Sequence, residues 1–247
     1  MPLTLPTPAE NLALDEALLE RAEAQTVETG DGEVLRLWES ATPMVVLGRS
    51  SRVAEEVDQQ ACEASGASIG RRSSGGATIV TGPGCLMYAV VLDTTHRPEL
   101  QAVDNAHAFV LDRLANALRE SGMKVDRDGT SDLVLHSEPA ADGARRKFSG
   151  NSLRVKRGWL LYHGTLLYDF DLPLIGTLLR TPPRQPDYRQ GRDHEAFVAN
   201  LPTDRETLCD AVRNAWPNAT PTDDYPKQRV EALVRERYGR DEWNLAR

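Results

Sequence analysis

Arg71-Arg72-Ser73-Ser74-Gly75-Gly76-Ala77-Thr78 lies between two short strand-like runs, 68–72 and 77–80, and decides how the rest of the chain is read. Two guanidinium groups, two hydroxyls and two residues without side chains meet there, so backbone can come close to an anionic ligand. The segment is not a Walker loop, because no Gly-Lys-Ser/Thr follows. It is not the dinucleotide fingerprint either, because the third glycine and the following helix are missing. Taken alone, a solvated glycine turn explains it as well as a binding loop does.

Outward from this segment the chain is mixed. In residues 11–25, Leu12, Leu14, Ala17, Leu18, Leu19 and Ala22 recur at helical spacing. The runs 34–38 and 44–47, separated by Ser40-Ala41-Thr42-Pro43, are expected to form a hairpin ending at Gly48-Arg49. A short helix is expected near 54–64. Strands at 68–72, 77–80 and 86–92 are expected to follow one another through tight glycine turns. Downstream, Val103, Ala106, Val110, Leu111, Leu114 and Leu118 share one face of the best helix, 99–121, which Gly122 stops. Further strands are predicted at 123–125, 132–135, 147–155 and 159–168, with a polar loop at 137–145. Residues 181–193 are polar, arginine-rich and expected to be mobile. Two helices close the chain, one opened by the capping box Thr203-x-x-Glu206 and one over 226–238. Strands fill the middle and helices the ends without regular alternation. The expected class is therefore α+β, in a single domain over 1–247.

Composition narrows the partners. The 29 Lys and Arg stand against 37 Asp and Glu, a formal net charge of −8 at pH 7, which argues against nucleic acid. The N-terminus has no cationic segment followed by an apolar one, and the longest apolar run, 86–92, is too short for a bilayer. No membrane association is expected, and the expected location is the cytoplasm. Cys62, Cys85 and Cys209 are widely spaced with no Cys-x-x-Cys pair, which suits a reducing compartment and not structural zinc.

A second segment, Arg145-Arg146-Lys147-Phe148-Ser149-Gly150-Asn151-Ser152, is followed by Tyr162-His163-Gly164-Thr165-Leu166-Leu167. A lysine entering a strand can aim its ammonium at a carboxylate or phosphate, although a lone lysine is more often a solvated surface group. Together the two segments resemble the lipoate-protein ligase A family, within the biotin/lipoate ligase superfamily. Other stretches fall in that family's order: Asn11-Leu12-Ala13-Leu14-Asp15-Glu16, Val45-Val46-Leu47-Gly48-Arg49, Ser131-Asp132-Leu133-Val134 and Val198-Ala199-Asn200-Leu201. The resemblance covers nearly the whole chain. It implies a mixed, largely antiparallel sheet with flanking helices, related to class II aminoacyl-tRNA synthetases, as a catalytic domain without the C-terminal accessory domain. It also implies that ATP and Mg²⁺ convert lipoate or octanoate to an acyl-adenylate. The acyl group then passes to a lysine on a lipoyl domain of a 2-oxoacid dehydrogenase E2 subunit or on the glycine-cleavage H protein.

By the same resemblance Lys147 is the catalytic residue, and with Arg72 it neutralises the anions brought together at the α-phosphorus. Ser74, Gly75, Gly76, Ala77, Gly150, His163, Gly164 and Thr165 fall at positions that contact substrate or adenylate. His163 serves equally well as a strand histidine ordering the site. Asp132 is the expected Mg²⁺ ligand, with a strand-opening carboxylate as the alternative. The acyl tail needs a channel, expected along 86–90. His107, on the apolar face of the long helix, reads as a core residue, and His96, His136 and His194 are not arranged for metal.

The chain departs from the family in informative places. Where a third glycine and a His-Asp pair are common, it has Ala77 and Thr81-Gly82. Gly82-Pro83-Gly84-Cys85-Leu86 resembles a turn of the sister octanoyltransferases. Those enzymes carry the acyl group from acyl carrier protein on a cysteine thiolate about twenty residues beyond His-Gly. Here that neighbourhood reads Leu179-Arg180-Thr181-Pro182-Pro183-Arg184, without cysteine. All three thiols are expected to be buried and structural. Arg184, Arg189 and Arg192 suit a loop ordering around phosphate, or a solvated basic loop. Arg145, Arg146, Arg154, Lys156 and Arg157 form the expected basic docking face. Arg237 to Asn244 resembles the start of the linker in two-domain ligases, so a separate accessory subunit is a further expected partner. A transferase that needs no ATP, or a non-catalytic acyl- or nucleotide-binding subunit, remains as the alternative.

Overall fold

The computed structural model describes residues 3–24, 32–135, 145–182, 185–219 and 222–246. Its centre is the antiparallel pair β5 (Cys85–Asp93) and β9 (Trp159–Leu167), in register from Cys85 opposite Leu167 to Asp93 opposite Trp159. Every residue of both strands is buried, because helices cover the two faces of the sheet. On one face Leu86, Tyr88, Val90, Leu160 and Tyr162 pack under α4 (Val103–Glu120) and α7 (Arg205–Ala215). On the other, Ala89, Val91 and Leu161 pack under Leu14 and Leu18 of α1 (Pro8–Ala24). The period-2 pattern thus sorts alternate residues onto two cores. With β1 (Val34–Trp38), β6 (Val125–Asp128), β7 (Asp132–Leu135) and β8 (Arg146–Lys156), the six strands run in the order β1-β5-β9-β8-β7-β6, all antiparallel.

A second sheet sits beside the first. Its middle strand β2 (Met44–Leu47) pairs parallel with β3 (Ser68–Arg71) and antiparallel with β4 (Ile79–Thr81). Both strands of the expected hairpin exist, but they do not form one: β1 belongs to the large sheet and β2 to the small one. Each is almost wholly buried and needs neighbours that a two-stranded ribbon cannot supply. The expectation of consecutive strands joined by tight turns also fails, since β3 and β4 flank β2 and not each other. Residues 72–78 must therefore cross the end of β2. Arg72 N–H donates to Leu47 O at 3.0 Å and Arg49 N–H to Ser74 O at 2.8 Å. A Cβ on Gly48 would lie 1.9 Å from Gly76 O, so only glycine permits this crossing.

The helices hold with local changes. The expected helix at 54–64 is two short ones, α2 (Val53–Glu56) and α3 (Gln59–Ser65), parted where Val57 bridges Leu179 and Asp58 caps α3. Gly122, at φ +86°, ends the turn after α4. The cap of α7 is Asp204, which accepts from Thr207 N–H, in place of Thr203 with Glu206. Helix α8 (Lys227–Leu233) runs on into a π turn, Val234–Tyr238, and α9 (Asp241–Asn244) follows. Helices α5 (Pro173–Leu178) and α6 (His194–Phe197), like α9, were not expected from the sequence. Of the polar loop at 137–145 only Arg145 lies among the described residues. Among those residues no helix is long and apolar enough to cross a membrane.

Candidate active site

Lys147 lies at a fault in the sheet. Leu133 faces Ser149 and Val134 faces Lys147, so Phe148 is an extra residue, a bulge that bends β8. The backbone of Lys147 is held from outside the sheet by a parallel bridge to Val198 and by Ala199 N–H donating to its carbonyl at 2.9 Å. This gives Val198-Ala199-Asn200 a physical role. A Cβ on Gly150 would lie 2.8 Å from both Cε and Nζ of Lys147, so the glycine leaves a lane for the side chain. In that lane the ammonium reaches Asp132 Oδ1 at 2.8 Å, and the Tyr188 hydroxyl donates to Oδ2 at 2.7 Å.

Two cavities meet at this lysine. The larger, about 310 Å³, runs between the 72–78 crossing and the end of α1. Leu12, Val46, Ile79 and Met87 form its apolar part, and Asp15 and His163 lie in its wall. The smaller, about 140 Å³, is mostly apolar and shares Ala77, Thr78, Lys147 and Gly150 with the larger. Of the expected channel residues at 86–90 only Met87 lines the larger cavity, because Leu86, Tyr88 and Val90 point to the opposite core.

Arg72 acts on its own loop. Its Nε donates to Ser74 Oγ and Gly75 O, Nη1 to Val46 O, and Nη2 to Gly75 O at 2.5 Å and Ala77 O at 2.9 Å. Burial pushes this guanidinium down to about 10, leaving it a cation at neutral pH. Gly76 takes φ +84°, and a Cβ there would meet Arg72 Nη2 at 2.9 Å. With the carbonyls of 75 and 77 drawn to Arg72, the N–H groups of Gly75, Gly76 and Ala77 have no acceptor among the described residues. Successive free N–H groups of this kind cradle anions.

Ser74 belongs to a buried chain that sequence reasoning only half found. It lies 2.6 Å from His163 Nε2, and His163 Nδ1 lies 3.0 Å from Asp15 Oδ2. Arg72 Nε also donates to Ser74 Oγ, so one chain of hydrogen bonds runs from Arg72 through Ser74 and His163 to Asp15. Arg36 Nη1 reaches Asp15 Oδ1 at 2.6 Å and Nη2 reaches Asn11 Oδ1 at 2.6 Å. Burial alone would raise the Asp15 carboxyl, but Arg36 and His163 outweigh it and hold the group below its ordinary value. The signal for Asp15 and Arg36 was present: polar residues stand on the inward faces of α1 and β1.

The remaining expected residues divide. Asn151 Oδ1 accepts from Tyr88 OH at 2.5 Å, and a Cβ on Gly164 would lie 1.8 Å from that oxygen. Thr165 Oγ1 accepts from Gly150 N–H at 3.1 Å, so Gly164 and Thr165 keep the Lys147 segment in place. Asp132 opens β7, as its alternative reading held, and also faces Lys147. Among the described residues no three His, Cys, Asp or Glu cluster around a metal position. One carboxylate already engaged by Lys147 and Tyr188 suits a hard cation only as a bridge to phosphate oxygens. His107 is a core residue, with Nδ1 2.8 Å from Tyr162 OH.

All three cysteines are buried and none lines either cavity. Burial pushes the Cys85 thiol up to about 12. The basic docking face is partly spent, with Arg154 on Glu16, Lys156 on Glu23 and Arg145 on Asp128, which leaves Arg146 and Arg157 exposed. Arg192 donates to four backbone carbonyls, and Arg184 lies outside the described residues. The segment resembling a linker packs as α9 on Arg71, whose N–H donates to Asn244 Oδ1 at 3.1 Å.

Comparison with known proteins gives the family and the fold. The family model of the lipoyl protein ligase A/B catalytic domain matches residues 7–216. Octanoyltransferase LipM of Geobacillus kaustophilus is 25% identical, over 97% of this chain and 95% of its own. Among solved structures, the bi-partite lipoate protein ligase described with its E2 lipoyl domain from Thermoplasma acidophilum superposes with a TM-score of 0.79. It is 22% identical and covers 100% of this chain and 96% of its own. A lipoate-protein ligase A bound with ATP gives a TM-score of 0.79 at 20% identity, covering 99% and 97%. Both share the lipoate-ligase fold. Since the family match runs from α1 through α7 and takes in every loop around Lys147, the chain belongs to the lipoyl protein ligase A/B catalytic-domain family.

Proposed function

We propose that this chain is a lipoate-protein ligase, which activates lipoate or octanoate with ATP and passes the acyl group to a lysine on a lipoyl domain of an E2 subunit or on an H protein. The observation that carries the reading is the position of Lys147 where two cavities meet, on a lining shared with Gly76 and Ala77, whose N–H groups have no acceptor among the described residues. An apolar tail fits the larger cavity along Leu12, Val46 and Met87, each buried methylene contributing roughly 0.8 kcal/mol. A flat base fits the smaller, apolar cavity, with the α-phosphate at their junction.

In the first step a carboxylate oxygen attacks the α-phosphorus and pyrophosphate leaves. Lys147 moves from Asp132 to the gathered anions, and the N–H groups of Gly76 and Ala77 meet the carboxylate or phosphate oxygens without having to reorganise. Hydrogen bonds to charged groups of this kind contribute on the order of 1.5–3 kcal/mol each. Asp132, freed of the lysine, would hold Mg²⁺ against the phosphates, where the ion supplies positive charge to the leaving group. In the second step the acceptor amine attacks the acyl carbon and AMP leaves. Residues 1–247 would serve as one catalytic domain in the cytoplasm, working with a separate subunit as the bi-partite Thermoplasma acidophilum ligase does.

The relation to LipM favours a second reading, octanoyl transfer from a carrier protein without ATP. The three buried thiols count against a cysteine-borne acyl group. Mass spectrometry of an unmodified lipoyl domain decides between the readings, with lipoate, ATP and Mg²⁺ in one tube and octanoyl-acyl carrier protein in another. Mass gain only with ATP is expected. Gain only from the carrier protein would replace the ligase with a transferase.

A further inference from the structure

Arg189 closes the 3₁₀ turn Asp187–Arg189 and is 3% exposed, although it comes from the most polar stretch of the chain. Its Nε donates to Arg192 O at 2.9 Å, and its guanidinium carbon lies 4.8 Å from the centre of the Phe197 ring. Its Nη2 is buried with no acceptor among the described residues. The Asp193 carboxylate acts on it only at a distance, because that side chain caps α6 by accepting from Ala196 N–H at 2.7 Å. A buried cation holding an unused N–H is costly unless something completes it.

Arg189 lines the smaller cavity, whose other walls include Val80, Leu167, Leu179, Phe197 and Val198. Of its donors, Thr78 and Lys147 lie where this cavity meets the larger one, which is where a phosphate would find them. A planar heterocycle fits better. Its faces are satisfied by apolar contact, while its ring nitrogens accept hydrogen bonds. We infer that Arg189 recognises the base of the bound nucleotide, its guanidinium donating to a ring nitrogen of adenine. The inference rests on the ligase reading and adds the residue that selects the base. The arginine is rigid on Phe197, so the donor is in place before the nucleotide arrives.

The test uses the full chain and two probes, ATP and adenosine, the second without any phosphate. Binding is measured by calorimetry, or by competition where it is weak, for the wild type, Arg189→Gln and Arg189→Lys. Lysine keeps the charge without the guanidinium fork, and melting curves check that both variants fold. Arg189→Gln is expected to weaken ATP and adenosine by the same factor, about tenfold or more. The lysine variant should recover little of this. Weaker ATP with unchanged adenosine would assign Arg189 to phosphate and overturn the inference, as would two unchanged affinities. A wild type that binds neither probe would instead remove the ligase reading on which the inference stands.

Discussion

Gly150 and Lys147 occupy one another's space: a methyl group on Gly150 would sit 2.8 Å from the Lys147 ammonium. The glycine is therefore part of how the lysine is aimed. Gly150→Ala should push the ammonium out of its lane and lower turnover on the order of tenfold to a hundredfold, while the chain still folds. Lys147→Ala should abolish turnover. Acyl transfer to a lipoyl domain measures both, and an alanine at 150 with full activity would show that the lane is not needed.

The Asp15 carboxylate ties α1 to β1 and β9 through Arg36 and His163. Removing one partner of a buried ion pair costs about 3–5 kcal/mol, so Asp15→Asn should melt well below the wild type. The pH dependence has a definite sign. Because the folded-state value lies below the ordinary aspartate value of 3.8, Asp15 contributes its full stabilisation above that pH. The contribution is lost as pH falls through the folded value. Acid titrations of stability should therefore be flatter in the asparagine variant below about pH 4. Parallel curves would contradict the assignment.

Cys85 has the look of a nucleophile only in sequence, beside a glycine-rich turn. Its thiol, pushed up to about 12 by burial, stays protonated at neutral pH and touches neither cavity. Cys85→Ala should keep acyl transfer within about twofold, at a stability cost of roughly 1 kcal/mol. Iodoacetamide should leave the native chain active.

Gly76 takes a backbone conformation that other residues resist, and it abuts Arg72. Gly76→Ala should disturb the cradle of free N–H groups, raising the KM for ATP or lipoate more than it lowers melting temperature. Steady-state kinetics beside a melting curve separate the two effects.

Much of this was legible along the chain, and the rest depended on contacts between distant residues. The helical period of α4 and the apolar runs of β5 and β9 marked the core, since burial on a helix face or between two layers leaves a local pattern. The Arg72 and Lys147 segments could be singled out by composition, and the fold brings them to one wall. The split of β1 and β2 into separate sheets was hidden, because an apolar run does not say which edge it joins. Asp15 and Arg36 left a trace as polar residues on inward faces, but their pairing did not, because a buried charge is intelligible only beside its partner. Arg189 stood in a polar stretch that suited either a loop ordering around phosphate or a solvated one, and only Phe197 and the cavity wall show why it is buried.

The most direct test of the central claim needs no acceptor. The wild type and Lys147→Ala would each be incubated with ATP, Mg²⁺ and lipoate, and pyrophosphate and lipoyl-AMP followed by rapid quench and mass spectrometry. The account predicts lipoate-dependent pyrophosphate release with formation of lipoyl-AMP in the wild type and neither in the variant. Intact ATP in the wild type, beside acyl transfer from a carrier-protein thioester, would contradict it.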